Sequence, residues 1–262
     1  MITAHMIVKN EDGWVWYAIK SVLPYVDRFL ITDTGSTDNT VKIIKSINSK
    51  KIKFNKITIN SAKEITKIRQ DHVNKTKSGW IWLVDGDEIY PQKTAKEIIS
   101  KAKRKHSIII VRRFDLLGDV YHHQLENIGE YELYGEKGHL VTRLMNLDKI
   151  QGLHLKGDYP NEGYYSKDGK STQDIKYNQV YITKNKLFHT MYLNRSSKKE
   201  SNIINRGKYK IEIGEKIKEN LPEVFYKKRP KYVPNPLKKR SMFYEILASI
   251  ITPIKNLKRK LL

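Results

Sequence analysis

Cysteine is missing from all 262 residues, which excludes a disulfide framework, thiolate catalysis, a zinc ribbon and an iron–sulfur site. Long apolar runs are missing too: no stretch approaches the ~18 residues that a membrane-spanning helix needs. The opening MITAHMIVKNEDG has no basic region followed by a long apolar one, so no signal peptide is expected and the expected location is cytoplasmic. No internal repeat or low-complexity tract is found. Acidic residues are scarce, 28 against 50 Lys and Arg, for a formal net charge of +22. The excess is uneven, because Lys198 to Leu262 hold 18 Lys and Arg against 6 Glu. Such a charge attracts polyanions (nucleic acid, an anionic lipid surface, phosphorylated substrates), unless the lysines simply decorate solvated faces. What the chain does have is 39% hydrophobic residues, enough for the core of one large domain, or of one domain with an appendage.

The first ninety residues alternate between two periodicities. ITAHMIVKN, RFLITDTGS, KIKFNKITI and WIWLVDGD read as strands. Between them, DGWVWYAIKSVLPYV, STDNTVKIIKSIN and SAKEITKIRQDHVNKTKSG read as helices, the first ending near Pro24 and the second offering Ser36, Thr37 and Asp38 as N-caps. Strands separated by single helices predict βαβ units, hence an α/β fold with a Rossmann-like, mostly parallel sheet flanked by helices. Ligands bind beyond the carboxyl ends of such strands, where VKNE, TDTGST and VDGDE all fall. A helix over KTAKEIISKAKRKH and a strand over SIIIVRRFDLL follow, and residues 119–175 are expected to hold only short β pieces such as GHLVTRLMNL. QVYITKNKLFHTMYL predicts a strand and turn, and the segment from Ser196 to Asn220 a helix. LPEVFYKKRPKYVPNPLKKR reads as a basic linker interrupted by proline, and the last 22 residues as a short apolar helix with a basic end.

Asp85, Asp87 and Glu88 come directly after the apolar WIWLV. Mutually repelling carboxylates at the mouth of a core are costly unless a cation sits between them. Alternation along a strand places Asp85 and Asp87 on one side, with Gly86 letting the backbone approach a ligand. Two carboxylates suit a hard divalent cation whose other ligands are waters and phosphate oxygens, although a surface turn rich in Asp and Gly would read the same way.

In order and spacing, MIVKNE (Met6 to Glu11), DTGSTDNT (Asp33 to Thr40), Arg69 and WLVDGDE resemble the family 2 glycosyltransferases of GT-A fold, especially the branch related to lipopolysaccharide-core glucosyltransferases. The resemblance covers roughly Ile2 to Tyr90. It implies a nucleotide-diphosphate sugar as donor, with Asp33 beside its base or ribose, Arg69 reaching the base, and Lys9, Asn10 and Glu11 lining the pocket. It further implies Asp85 near the ribose and metal, and Asp87 on Mn²⁺ or Mg²⁺. A metal so held would stabilise the negative charge that grows on a departing diphosphate. Relatives often carry the arginine in an ARN-like run, whereas this chain has KIRQDH, which leaves Asp71 and His72 without a role.

An inverting transfer needs a general base beside the acceptor hydroxyl. Arg143 and Leu144 match the RLF of relatives, but the acid that follows is displaced into GDYPNEGYY, making Glu162 the expected base and Asp158 the second candidate. By the same resemblance His189 completes the metal site or touches the diphosphate, or else it is an ordinary packing histidine. Arg195, Lys198 and Lys199 are further candidates for holding phosphate. The expected division is a GT-A catalytic domain over residues 1–195 and a basic helical C-terminal extension over 196–262. The terminal helix suits either docking on an anionic membrane surface, which would bring a lipid-linked acceptor within reach, or packing on the catalytic domain. The expected partners are therefore a nucleotide-sugar donor, a glycan or lipid-linked acceptor, and peripheral contact with the inner membrane face.

Two other classes compete. A nucleotidyltransferase would favour a Gly-rich phosphate loop after the first strand, of which MIVKNEDG is a poor version. A nucleic-acid-binding protein would explain the charge but would want aromatic and basic residues interleaved on one face, and it gives no reason for Asp33, Asp85 and Asp87 at strand ends.

Overall fold

The computed structural model describes residues 1–61, 63–103, 105–193 and 210–261. Four strands and three helices fill the N-terminal part: β1 (Ile2–Val8), α1 (Val15–Val22), β2 (Arg28–Asp33), α2 (Thr40–Ser46), β3 (Ile52–Lys56), α3 (Lys63–Asn74) and β4 (Trp80–Leu83). Next come β5 (Glu88–Ile89), α4 (Gln92–Ala102), β6 (Ile108–Asp115), β7 (His122–His123), β8 (Tyr131–Leu133) and β9 (Glu136–Gly138). The chain continues through β10 (Leu140–Asn146), β11 (His154–Lys156), β12 (Gly163–Tyr165), β13 (Val180–His189), β14 (Glu215–Lys216) and α5 (Met242–Leu261). Eight strands form one sheet in the order β3-β2-β1-β4-β10-β6-β13-β5. From β3 to β4 the neighbours are parallel, as the βαβ reading expects; β10 runs antiparallel to both β4 and β6.

The inner strands β1, β2, β4 and β6 are buried on both faces, which explains why they read as nearly unbroken apolar runs. In β4 the side chains alternate: Trp80 and Trp82 join the larger core with α1 and α4, while Ile81 and Leu83 join a second core with Val73, Ile108, Ile110 and Met145. One connection is unusual. Only residues 84–87 separate β4 from β5, yet β10, β6 and β13 lie between those two strands in the sheet.

Three expectations are corrected. The N-cap of α2 is Asn39, which makes no side-chain capping bond; Asp38 accepts the Thr40 N–H instead, at 2.8 Å. The expected helix over 196–220 lies outside the described residues up to 209, and residues 210–220 form no helix: Glu215–Lys216 is a short strand, β14, pairing antiparallel to β7. The reason is legible in KIEIG, where Ile and Glu alternate with a period of two and Gly214 follows at φ +65°. Finally, the basic segment before α5 is not a free linker: Val224, Phe225 and Val233 sit in the larger core, with the Phe225 ring edge-on to Tyr17 at 5.5 Å. Arg195, Lys198 and Lys199 lie outside the described residues.

Candidate active site

The loops after β1 and β2 are tied into one unit. Asn10 takes the left-handed conformation (φ 52°) that its short amide tolerates. Its side-chain oxygen accepts the Thr37 N–H at 2.8 Å, and its own N–H donates to the Ser36 hydroxyl at 2.9 Å. The Glu11 N–H donates to the Thr40 hydroxyl at 2.8 Å. Asp33 is fully buried beneath this unit, accepting the N–H groups of Gly35 (3.1 Å) and Ser36 (3.0 Å) and the Ser36 hydroxyl. Its carboxylate therefore shapes the loop. Lys9 is half-buried at the end of β1, and Asn10 and Glu11 are buried.

The acidic turn packs against the same place. β4 ends at Leu83, so Asp85 and Asp87 occupy a turn and strand alternation does not align them. Gly86 fits because a Cβ there would press on Val8 and Glu11 side chains at 3.1 and 3.3 Å. The two carboxylates have different partners. Asp85 accepts from Arg143 at 2.7 Å, and the same guanidinium, which reaches in from β10, bonds the fully buried Glu88. Asp87 lies 3.3 Å from the Nε2 of His189, whose Nδ1 is 2.8 Å from Asp115 at the end of β6. Asp115 is also 3.0 Å from Arg113. Among the described residues, Arg143 and His189 are thus the cations in direct contact with this acidic mouth.

Burial alone pulls the His189 pKa down, but Asp87 and the Asp115 hydrogen bond reverse this and lift it to about 9. Burial raises the Asp85 pKa, and Arg143 and Arg69 outweigh it to leave a net lowering. Glu88 is pushed up, burial outweighing Arg143.

Arg69 projects from α3 with its Nε 3.0 Å from Glu162, a carboxylate only 7% exposed just before β12. Burial pulls the Arg69 pKa down, yet Tyr164, Asp85 and Glu162 raise it overall. Arg69, Glu162, Tyr164 and Asp85 therefore form one electrostatic neighbourhood. Asp158 stands apart, 58% exposed and 3.3 Å from Lys63.

Among the described residues, no three His, Asp or Glu side chains are arranged to enclose a metal by themselves. The donor set still fits a hard dication carried in with a diphosphate: two carboxylates at the mouth, and one imidazole once it has lost its proton. Sequence reasoning named Glu88 in the acidic cluster and Arg143 as a motif match without giving either a role in the site, and it missed Asp115. Asp115 had a usable signal, since FD closes the core strand β6 much as VDGD follows the core strand β4.

Residues 3–153 match the family model described as Glycosyl transferase family 2. Among solved structures, S. aureus TarS 1–349 in complex with UDP-GlcNAc is 14% identical, with 81% of this chain and 62% of that chain covered and a TM-score of 0.49. Another structure of S. aureus TarS 1–349 is 13% identical, covering 72% and 60%, with a TM-score of 0.46. Glucosyl-3-phosphoglycerate synthase from Mycobacterium tuberculosis, in complex with Mn²⁺, UDP and glucosyl-3-phosphoglycerate, is 16% identical over 44% of this chain and 43% of that one, at a TM-score of 0.34. The chain thus spans less than two thirds of the length of these proteins. No curated protein matches the sequence.

Proposed function

The chain belongs to glycosyl transferase family 2, and on that premise we propose that it moves a sugar from a nucleotide-diphosphate donor to a hydroxyl acceptor, with inversion and with help from a divalent cation. The observation that carries this reading is the acidic turn Asp85–Gly86–Asp87 packed on the joined loops after β1 and β2. The donor's nucleotide lies over Lys9, Asn10 and Glu11, on a floor that Asp33 holds in shape. Asp85 and Asp87 would hold Mn²⁺ or Mg²⁺, with His189 beside Asp87. The cation supplies positive charge to the leaving diphosphate. Arg69 holds Glu162, which takes the acceptor's proton; Asp158, out at the surface, receives no role. Catalysis is assigned to residues 1–195. The acceptor is a glycan or lipid-linked saccharide, as in the lipopolysaccharide-core branch that the motifs resemble.

The test is calorimetric binding of UDP, GDP, dTDP and CDP, with and without Mn²⁺, to the wild type and to Asp87→Ala. One nucleotide is expected to bind only with the metal, and the variant to lose that binding. Metal-independent binding, or none at all, would leave the acidic turn as structure and remove the basis of the reading. For the base, Glu162→Gln is expected to lower turnover roughly 10²–10⁴-fold while leaving donor binding in place, the range usual for general acid–base groups.

A further inference from the structure

Helix α5 presents its faces in an unexpected sense. Phe243, Ile246, Ile250, Ile254, Leu257 and Leu261 recur at spacings of three and four, so they form one stripe along a helix about 30 Å long. That stripe faces solvent, with exposures running from 53% for Ile246 to 78% for Leu261. The opposite, more polar side is turned onto the body of the protein. Arg259 and Lys255 reach Glu212 at 2.8 and 3.3 Å, and the Thr252 hydroxyl accepts the Ile213 N–H at 2.9 Å. The Tyr244 hydroxyl donates to the carbonyls of Lys210 and Glu212, and Ala248 is fully buried. Rotating the helix to hide the stripe would break this whole set of bonds, so the protein holds the apolar face outward.

An apolar stripe of this length, continuous and uncovered, marks a contact surface. Its surroundings say what it contacts. From Lys227 to Leu262 there are eleven Lys and Arg and one acid, Glu245. Lys258 and Lys260 are exposed and fall on opposite borders of the stripe at 100° per residue; Lys238 and Lys239 are exposed just before the helix. Two copies pairing through this face would press cationic borders together. Among the described residues no helix is long and apolar enough to cross a membrane. We propose that α5 lies in the plane of an anionic lipid surface, with the stripe among the acyl chains and the lysines on the headgroups. This inference does not depend on the transferase reading.

The test uses the full chain and extruded vesicles of phosphatidylcholine, alone or mixed with phosphatidylglycerol. Sedimentation with the anionic vesicles is expected, weakening as salt is added. Ile250→Glu combined with Ile254→Glu is expected to lower the partition coefficient roughly tenfold or more while the melting curve stays put. Because the chain has no cysteine, Ile250→Cys gives a unique site for an environment-sensitive dye, whose emission should shift blue on anionic vesicles. A dye at Lys45→Cys, exposed on α2, should not shift. No sedimentation with anionic vesicles, or equal sedimentation of the Glu variant, overturns the proposal. So does a concentration-dependent dimer that the Glu variant abolishes, which would assign the stripe to a second copy.

Discussion

Arg143 holds two carboxylates at once, one of them without solvent contact. Removing the guanidinium strands Glu88 as an uncompensated buried charge, so Arg143→Ala should destabilise the fold by about 3–5 kcal/mol. Pairing Arg143→Met with Glu88→Gln removes both charges and should recover most of that loss. Urea unfolding of the three proteins checks this, and equal losses in the single and double variants would refute the pairing argument. The acidic cluster itself was legible in the sequence, since three carboxylates after a core strand demand a counter-charge. Its identity was not. Arg143 lies 58 residues from Asp85 and His189 lies 74 from Asp115, and only the placement of β10 and β13 beside β4 and β6 brings them together.

At the scale of elements, one buried carboxylate gathers the cations that anchor α5. Glu212 is 2% exposed and gathers Lys210, Lys255 and Arg259; burial lifts its pKa, and the hydrogen bond from Arg259 with the neighbouring cations more than reverses that. Glu212→Ala should loosen the helix from the body, with α5 amides exchanging faster while those of β1 and β4 keep their protection. Unchanged exchange in α5 would mean that Thr252 and Tyr244 suffice. Gly214 supports the same segment: at φ +65° and with a Cβ position 2.4 Å from the His123 carbonyl, Gly214→Ala should separate β14 from β7 and cost roughly 1–3 kcal/mol in thermal unfolding. Apart from the two-residue β5, the strands and helices up to Asp115 were readable because each combines the right period with a clear stop signal. The helix expected over 210–220 failed because many lysines and glutamates outweighed a short alternating run whose partner, β7, is only two residues long.

For the whole molecule, pH acts through buried histidines as well as through charge. His72 is buried against Thr32 and His5; burial lowers its pKa to about 4, Lys75 and Arg69 adding to this and Asp71 opposing it. Burial likewise pushes His5 well down, with His72, Arg28 and Arg69 in the same direction. The unfolded chain therefore binds protons before the native state does. The stabilisation is complete above about pH 6.5 and is lost as pH falls toward about 4, by on the order of 3 kcal/mol for His72. Denaturation series at several pH values should show this slope flatten in His72→Gln; parallel curves would exclude the histidine as its source.

The four residues between β4 and β5 carry a consequence for how this protein assembles. Four inter-strand gaps on a flat sheet measure about 19 Å, while the five steps from Leu83 to Glu88 reach about 18 Å even when fully extended. The sheet has to curl for the turn to close, and the turn's final geometry requires β10, β6 and β13 between the two strands it joins. Asp85 and Asp87 thus act as a clasp across the finished sheet. A chain stopped part-way through folding, or a fragment lacking β10 and β13, keeps the motif as letters but has neither its geometry nor its counter-ions, so ligand recognition and completion of the fold should appear together.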